Sequence, residues 1–152
     1  MEMPETTNRV ARQTEEEINQ KILKRIEENI AFYVSCERSG IDRRLRELDR
    51  EWDTERVLET TASSFALLGL TLGATVNRKW FLFPAVIAGF LLQHAIQGWC
   101  PPLAVIRRLG VRTAREIDYE RYALKAARGD FEGISAGKGE PAQAGKVLQA
   151  VM

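Results

Sequence analysis

Histidine and cysteine are scarce in this sequence of 152 residues, which has one histidine and two cysteines. A catalytic Ser–His–acid triad needs its histidine beside a nucleophile, and a zinc site needs clustered ligands. His94, Cys36 and Cys100 are too far apart in sequence to suggest either. The two cysteines also fit no disulfide framework, which favours a reducing compartment. These shortages predict a protein that is not an enzyme and that holds no metal ion and no cofactor.

Excess charge is lacking as well, because 22 basic residues stand against 21 acidic ones. Binding to nucleic acid depends on neutralising phosphates with surplus positive charge, so we expect no nucleic-acid partner. The first 56 residues are rich in charge and contain no apolar run of the length of a secretory leader. We therefore expect no cleavable leader, and any membrane segment is expected to be internal.

Charge is nearly absent from residues 57–106, where only Glu59, Arg78 and Lys79 are charged. Residues 60–77 form an uncharged run of 18 residues, and residues 80–106 form another of 27. Because a helix rises about 1.5 Å per residue, about 20 residues cross a hydrocarbon core about 30 Å thick. The pattern predicts a two-helix transmembrane hairpin over residues 57–106 with its turn at 77–79. A hairpin buried in a soluble bundle and a shallow re-entrant loop are the alternatives.

Basic residues flank this hairpin on both sides. Ten arginines lie close to its ends, against Arg78 and Lys79 in the turn. Basic residues concentrate on the cytoplasmic side of membrane proteins, so both termini are expected in the cytoplasm. The ten are Arg43, Arg44, Arg46, Arg50 and Arg56 before the hairpin, and Arg107, Arg108, Arg112, Arg115 and Arg121 after it.

The segments outside the hairpin have a different character. Residues 1–13 are expected to be a flexible N-terminus and residues 129–152, which are rich in glycine, a flexible tail. Residues 14–56 are a predicted cytoplasmic amphipathic segment with a capping pair at Thr14 and Glu17 and a break at Ser39–Gly40. Residues 107–128 are predicted as a juxtamembrane cytoplasmic helix.

The predicted fold is therefore all-α, an integral membrane two-helix hairpin flanked by cytoplasmic amphipathic helices. The helices of residues 14–56 pack on each other in one interpretation, and bind the membrane surface or a partner protein in the other.

Small residues recur along one side of each apolar run, at Ala62, Ala66, Gly69 and Gly73 in the first and at Ala85 and Gly89 in the second. In lipid, helices associate mainly through close packing, which small residues permit. These faces predict helix packing within one hairpin or between two hairpins. The expected partners are the lipid bilayer, a second copy of the chain in a dimer, and an unidentified membrane protein.

The polar side chains well inside the second run are Gln93, His94 and Gln97, and Cys100 lies in the turn that closes it. Polar groups in lipid cost free energy unless they are paired. One interpretation is that Gln93, His94 and Gln97 form hydrogen bonds between helices. The alternative is that they serve a pore or a transporter of which this chain is a subunit. Cys100 has either a structural role or a role in thiol redox or persulfide handling.

Four short segments carry a resemblance to a known family. They are Asn77–Trp80, Phe90–His94, Gly98–Pro102 and Leu109–Gly110. Residues 57–112 resemble the YgaP-like transmembrane domain family, also called DUF2892. The resemblance implies a small bacterial inner-membrane protein with a two-helix hairpin able to dimerise.

Some members of that family are membrane tails of rhodanese sulfurtransferases. This chain has a charged helical segment where those members have a rhodanese domain, so no catalytic residue is carried over. The expected role is a membrane anchor or assembly module.

Overall fold

The computed structural model describes residues 7–132, 134 and 141–151. These residues form helices and no strand, which confirms the all-α class. A short 3-10 helix, Arg78–Phe81, lies between α4 and α5. The α-helices are α1 (Arg9–Arg12), α2 (Glu16–Val34), α3 (Arg38–Leu48), α4 (Thr54–Thr75), α5 (Leu82–Gln97), α6 (Pro101–Arg108), α7 (Ala114–Arg128) and α8 (Pro141–Val151).

The chain divides into two compact units. The first comprises Met1–Ile22 and Trp52–Arg115, and it contains α4, α5 and α6. The second comprises Leu23–Glu51 and Glu116–Met152, and it contains α3 and α8. Helices α2 and α7 each contribute residues to both units.

Side-chain hydrogen bonds to the backbone mark where α4 and the 3-10 helix before α5 begin. The Asp53 side chain accepts a hydrogen bond from the Arg56 backbone N–H at 2.8 Å and so begins α4. The Asn77 side chain accepts from the Lys79 N–H at 2.9 Å and begins the 3-10 helix. The segment predicted as a turn at 77–79 therefore continues directly into the 3-10 helix that leads to α5.

The second apolar run is not one helix. Gly98 has a φ of 75°, a left-handed conformation that ends α5. Helix α6 then begins at Pro101, a position that suits proline because its missing N–H would have no partner within the helix. Leu103 and Ile106 are buried in the core of the first unit. The second apolar helix thus ends at Gln97, before the expected limit at residue 106.

The second unit has its own apolar core between α3 and α7. Ile41, Leu45 and Leu48 of α3 pack with Ile117 and Leu124 of α7. Both helices are amphipathic, and burying their apolar stripes against each other removes these stripes from water. Helix α3 therefore finds a packing partner in α7, as well as Tyr33 of α2.

Four expectations about the flanking segments differ from the structure. The helix expected over residues 107–128 begins only at Ala114, after α6 has ended at Arg108. Helix α1 lies within the segment expected to be flexible at 1–13, where Val10 joins the apolar core, and α8 lies within the expected tail at 129–152. Residues 1–6, 133, 135–140 and 152 of these two segments lie outside the described residues. The break expected at Ser39–Gly40 lies earlier, between Val34 and Arg38, since Gly40 is inside α3.

Candidate functional site

Apolar surface dominates the exposed sides of α4 and α5. Both the 22-residue helix Thr54–Thr75 and the 20-residue segment Arg78–Gln97 are long and apolar enough to cross a membrane, by length and composition. Only 22% of the most apolar window of the first is buried, and only 6% of that of the second. Exposed large side chains include Phe65, Leu67, Leu68, Leu70, Val76, Leu82, Val86, Leu92 and Ile96.

Two of the predicted small residues hold α4 against α5 and the 3-10 helix that precedes it. A Cβ atom added to Gly69 would lie 2.7 Å from Cδ of Pro84, and one added to Gly73 would lie 2.8 Å from Cδ1 of Phe81. Both distances are too short for a real side chain, so the close approach requires glycine. Ala62 and Ala66 lie half-buried on the same helix. This stripe contributes to packing within the chain.

The second predicted stripe faces away from these contacts. A Cβ atom added to Gly89 would meet no atom within 4 Å in the part of the chain that is described, and Ala85 is exposed. Gln97 is exposed and Gln93 is half-buried. The structure therefore does not bring Ala85 and Gly89 against the small residues of α4.

His94 is buried and belongs to a polar cluster at the ends of α4 and α5, whose other two members are half-buried. Its Nε2 atom lies 2.9 Å from Oε2 of Glu55, and Oε1 of Glu55 accepts a hydrogen bond from Nη2 of Arg9 at 2.9 Å. The neighbouring Gly98 packs so closely on Arg9 that an added Cβ would lie 2.7 Å from the Arg9 Cβ. The cluster thus links α1, α4 and α5.

Glu55 and Arg9 were not among the predicted site residues. A polar side chain on an apolar helix indicated that His94 needs a partner, but helical spacing cannot identify a residue 39 positions earlier in the chain. Gln93 and Gln97 are not part of this cluster.

Cys100 is part of the apolar core of the first unit and is 1% exposed. Burial raises the pKa of its thiol, and the nearby charge of Glu55 acts in the same direction, while a backbone hydrogen bond opposes both. The thiolate is the reactive form of cysteine, so these surroundings favour a packing role over thiol chemistry.

Arg107 forms a second buried polar network that the sequence did not predict. Its Nε donates to Oγ1 of Thr14 at 3.2 Å, its Nη2 to Oδ1 of Asn19 at 3.0 Å, and its Nη1 to the carbonyl oxygen of Val111 at 3.0 Å. Asn19 in turn donates to the carbonyl oxygen of Ala11 at 2.9 Å. This residue was expected only as a basic flank, and its burial has no signal in the local sequence.

The second unit contains a buried ion pair between Glu120 and Arg44. The Arg44 Nε donates to Oε1 of Glu120 at 2.7 Å and its Nη2 to Oε2 at 3.3 Å, while Asn29 donates to Oε2 at 3.3 Å. Burial acts to lower the pKa of Arg44, but the hydrogen bonds and the charge of Glu120 more than offset it and raise this pKa. The arrangement is typical of a structural ion pair.

The described residues bring no three His, Cys, Asp or Glu side chains together in a way that could hold a metal ion. Comparison with protein-family models, with curated proteins and with solved structures gives no match to this chain. The resemblance to the YgaP-like family therefore stays a prediction.

Proposed function

We propose that this protein is a non-enzymatic membrane anchor or assembly module of the bacterial inner membrane. The observation that carries the proposal is the exposure of α4 and α5. A core helix of a soluble protein is mostly buried, whereas only 22% and 6% of these two apolar windows are buried. Soluble monomers rarely expose contiguous apolar patches above a few hundred Å². Lipid is the medium in which such surface costs least.

In this proposal α4 and α5 cross the bilayer as a hairpin with both termini in the cytoplasm. The excess of arginine outside residues 57–106, against Arg78 and Lys79 between the helices, supports that orientation. Trp80 and Trp99 lie near opposite ends of α5 and are both exposed. Tryptophan is enriched at the two membrane–water interfaces, so these positions agree with a spanning helix.

The proposed self-association uses the outer face of α5. Ala85 and Gly89 leave this face open to close approach by another helix. Gln93 continues the same side, and an amide near lipid is stabilised when a neighbouring helix offers a hydrogen bond. A second copy of the chain provides the same small residues and the same amide, so we propose a homodimer.

Extraction from membranes tests the anchor. We expect the full-length chain to sediment with bacterial membranes, to remain there after a sodium carbonate wash, and to dissolve only in detergent. Carbonate removes proteins held by surface charge, whereas a spanning hairpin is held by its apolar area. A compact monomer in the supernatant of lysed cells, without detergent, would overturn the proposal.

Substitutions on α5 test the dimer separately. Gly89→Ile adds bulk to the proposed contact, so we expect the dimer trapped by chemical crosslinking in membranes to decrease several-fold. Ala88→Ile adds a comparable side chain at the neighbouring exposed position and serves as the control. Equal crosslinking of both variants and the unchanged protein would exclude this face as the dimer contact.

A further inference from the structure

A recess of about 130 Å³ opens between α4, α5 and the beginning of α6. Leu58 and Cys100, which are almost fully buried, line its inner part. Ala62 and Leu91 line its sides, and Phe65, which is 50% exposed, lies where it meets the outer surface. The recess is therefore an indentation of the same apolar surface that α4 and α5 expose.

The close approach of the two helices through glycine lies at the other end of the pair, away from this space. Gly69 and Gly73 bring α4 against the residues at the beginning of α5. Toward Gln97 the chain leaves α5 and turns at Gly98, and Ala62 offers only a methyl group across the gap. No side chain among the lining residues fills the volume.

The lining of this recess offers water few hydrogen-bonding partners. A buried water molecule makes about three hydrogen bonds, and of the nine lining residues only Thr61 and Cys100 carry a side-chain group able to form one. Apolar cavities of about 150 Å³ stay dry and accept apolar molecules of the size of benzene. The recess is of similar size, so several methylene groups of a chain fit where water does not.

We propose that the recess binds one alkyl chain of a membrane lipid, with Cys100 at the inner end of the site. This inference rests on the proposed membrane location, because the surface around Phe65 then faces the acyl chains of the bilayer. An alkyl chain entering from that surface exchanges one apolar contact for another and fills a volume that the protein leaves empty, so the gain is in dispersion contacts.

Photocrosslinking of the full-length chain tests the site. The probe is a phosphatidylcholine with a diazirine on one acyl chain, mixed into vesicles of phosphatidylcholine and phosphatidylglycerol that contain the protein. After irradiation, peptide mass spectrometry locates the modified residues. We expect modification at Leu58, Ala62 and Leu91, in addition to outward residues such as Val86.

A matched pair of variants assigns the signal to the recess. Ala62→Phe places a ring in the volume, so modification of Leu58 and Leu91 is expected to fall several-fold while that of Val86 stays constant. Ala88→Phe adds the same ring at an exposed position outside the recess and is expected to change neither. If Ala62→Phe loses its helical circular dichroism, Ala62→Leu replaces it with a smaller filling group.

The outcomes separate the two proposals. Modification confined to outward residues, or unchanged at Leu58 in a folded Ala62 variant, would overturn the lipid site and leave the membrane location standing. Modification of Leu58 that disappears as dimers form at higher protein-to-lipid ratio would assign the recess to a second copy and overturn the lipid site. A chain that stays outside the vesicles and takes up no probe on α4 or α5 would contradict the membrane location.

Discussion

Glu120 is a fully buried carboxylate, with an exposure of 0%, and it forms an ion pair with Arg44 in the second unit. Removing one partner of a buried pair leaves the other charge desolvated, which costs about 3–5 kcal/mol. We expect Glu120→Ala to lower the free energy of unfolding by that amount, measured by thermal unfolding with circular dichroism.

Glu47 provides the control at the same arginine. Its Oε2 accepts from Nη1 of Arg44 at 3.1 Å, but its side chain is 48% exposed. Exposed pairs contribute about 1 kcal/mol or less, so Glu47→Ala is expected to have a small effect. Equal losses in the two variants would show that burial is not what makes the Glu120 pair important.

Cys100 gives a prediction with a pH dependence. Because burial raises the pKa of its thiol, the thiolate fraction at neutral pH is lower than for an ordinary cysteine. In a Cys36→Ser background, we expect alkylation by iodoacetamide to be slower than that of a free thiol and its pH profile to lie at higher pH. Denaturation is the control and is expected to restore the ordinary rate. A native rate equal to the denatured one would contradict the expected effect of burial, and only a native rate faster than the denatured one would support the thiol hypothesis.

At the scale of elements, the two glycine positions differ sharply. A Cβ atom added at Gly69 meets Pro84 and Phe83 at less than 3 Å, whereas one added at Gly89 meets no atom of the described residues within 4 Å. Overpacking of a close contact costs about 1–3 kcal/mol. We expect Gly69→Leu to lower the unfolding temperature in detergent and Gly89→Leu to leave it nearly unchanged. Equal stability of the two variants would mean that α4 and α5 do not require this close approach.

Helices were predictable where the signal is local. The lack of charge in two long runs indicated α4 and α5, and the helix predicted over residues 107–128 contains α7, which begins at Ala114. The capping pair at Thr14 and Glu17 predicted the hydrogen bonds of Thr14 less well. The Thr14 hydroxyl donates to the carbonyl oxygen of Val10 at 2.8 Å, in the preceding turn of the chain, and accepts from Arg107, a partner that depends on tertiary structure.

At the scale of the whole molecule, cysteine labelling tests the predicted orientation of the α4–α5 hairpin in the membrane. Single cysteines at Thr7 and at Lys79, in a chain without Cys36 and Cys100, report on the N-terminus and on the segment between the two apolar helices. We expect a membrane-impermeant maleimide to label the Lys79→Cys chain in intact spheroplasts and the Thr7→Cys chain only after lysis. The opposite pattern would reverse the proposed topology.

The sequence does not reveal which residues far apart in the chain contact each other. His94 with Glu55 and Glu120 with Arg44 are separated by 39 and 76 positions, and no periodicity connects them. The recess beside Cys100 is a further example, because it depends on where α5 ends and how the chain then turns. Apolar runs fix which segments are helical, whereas tertiary packing decides which of their side chains meet.

The junction before α4 has a mechanical consequence. The carbonyl oxygen of Arg112 accepts two hydrogen bonds from the buried Thr54, from its backbone N–H at 2.8 Å and its hydroxyl at 3.0 Å. This one oxygen joins the residue where the chain enters the apolar helices to the residue just beyond α6. A force that pulls these two segments of the chain apart would act directly on these two hydrogen bonds, which close the length of chain that contains α4, α5 and α6.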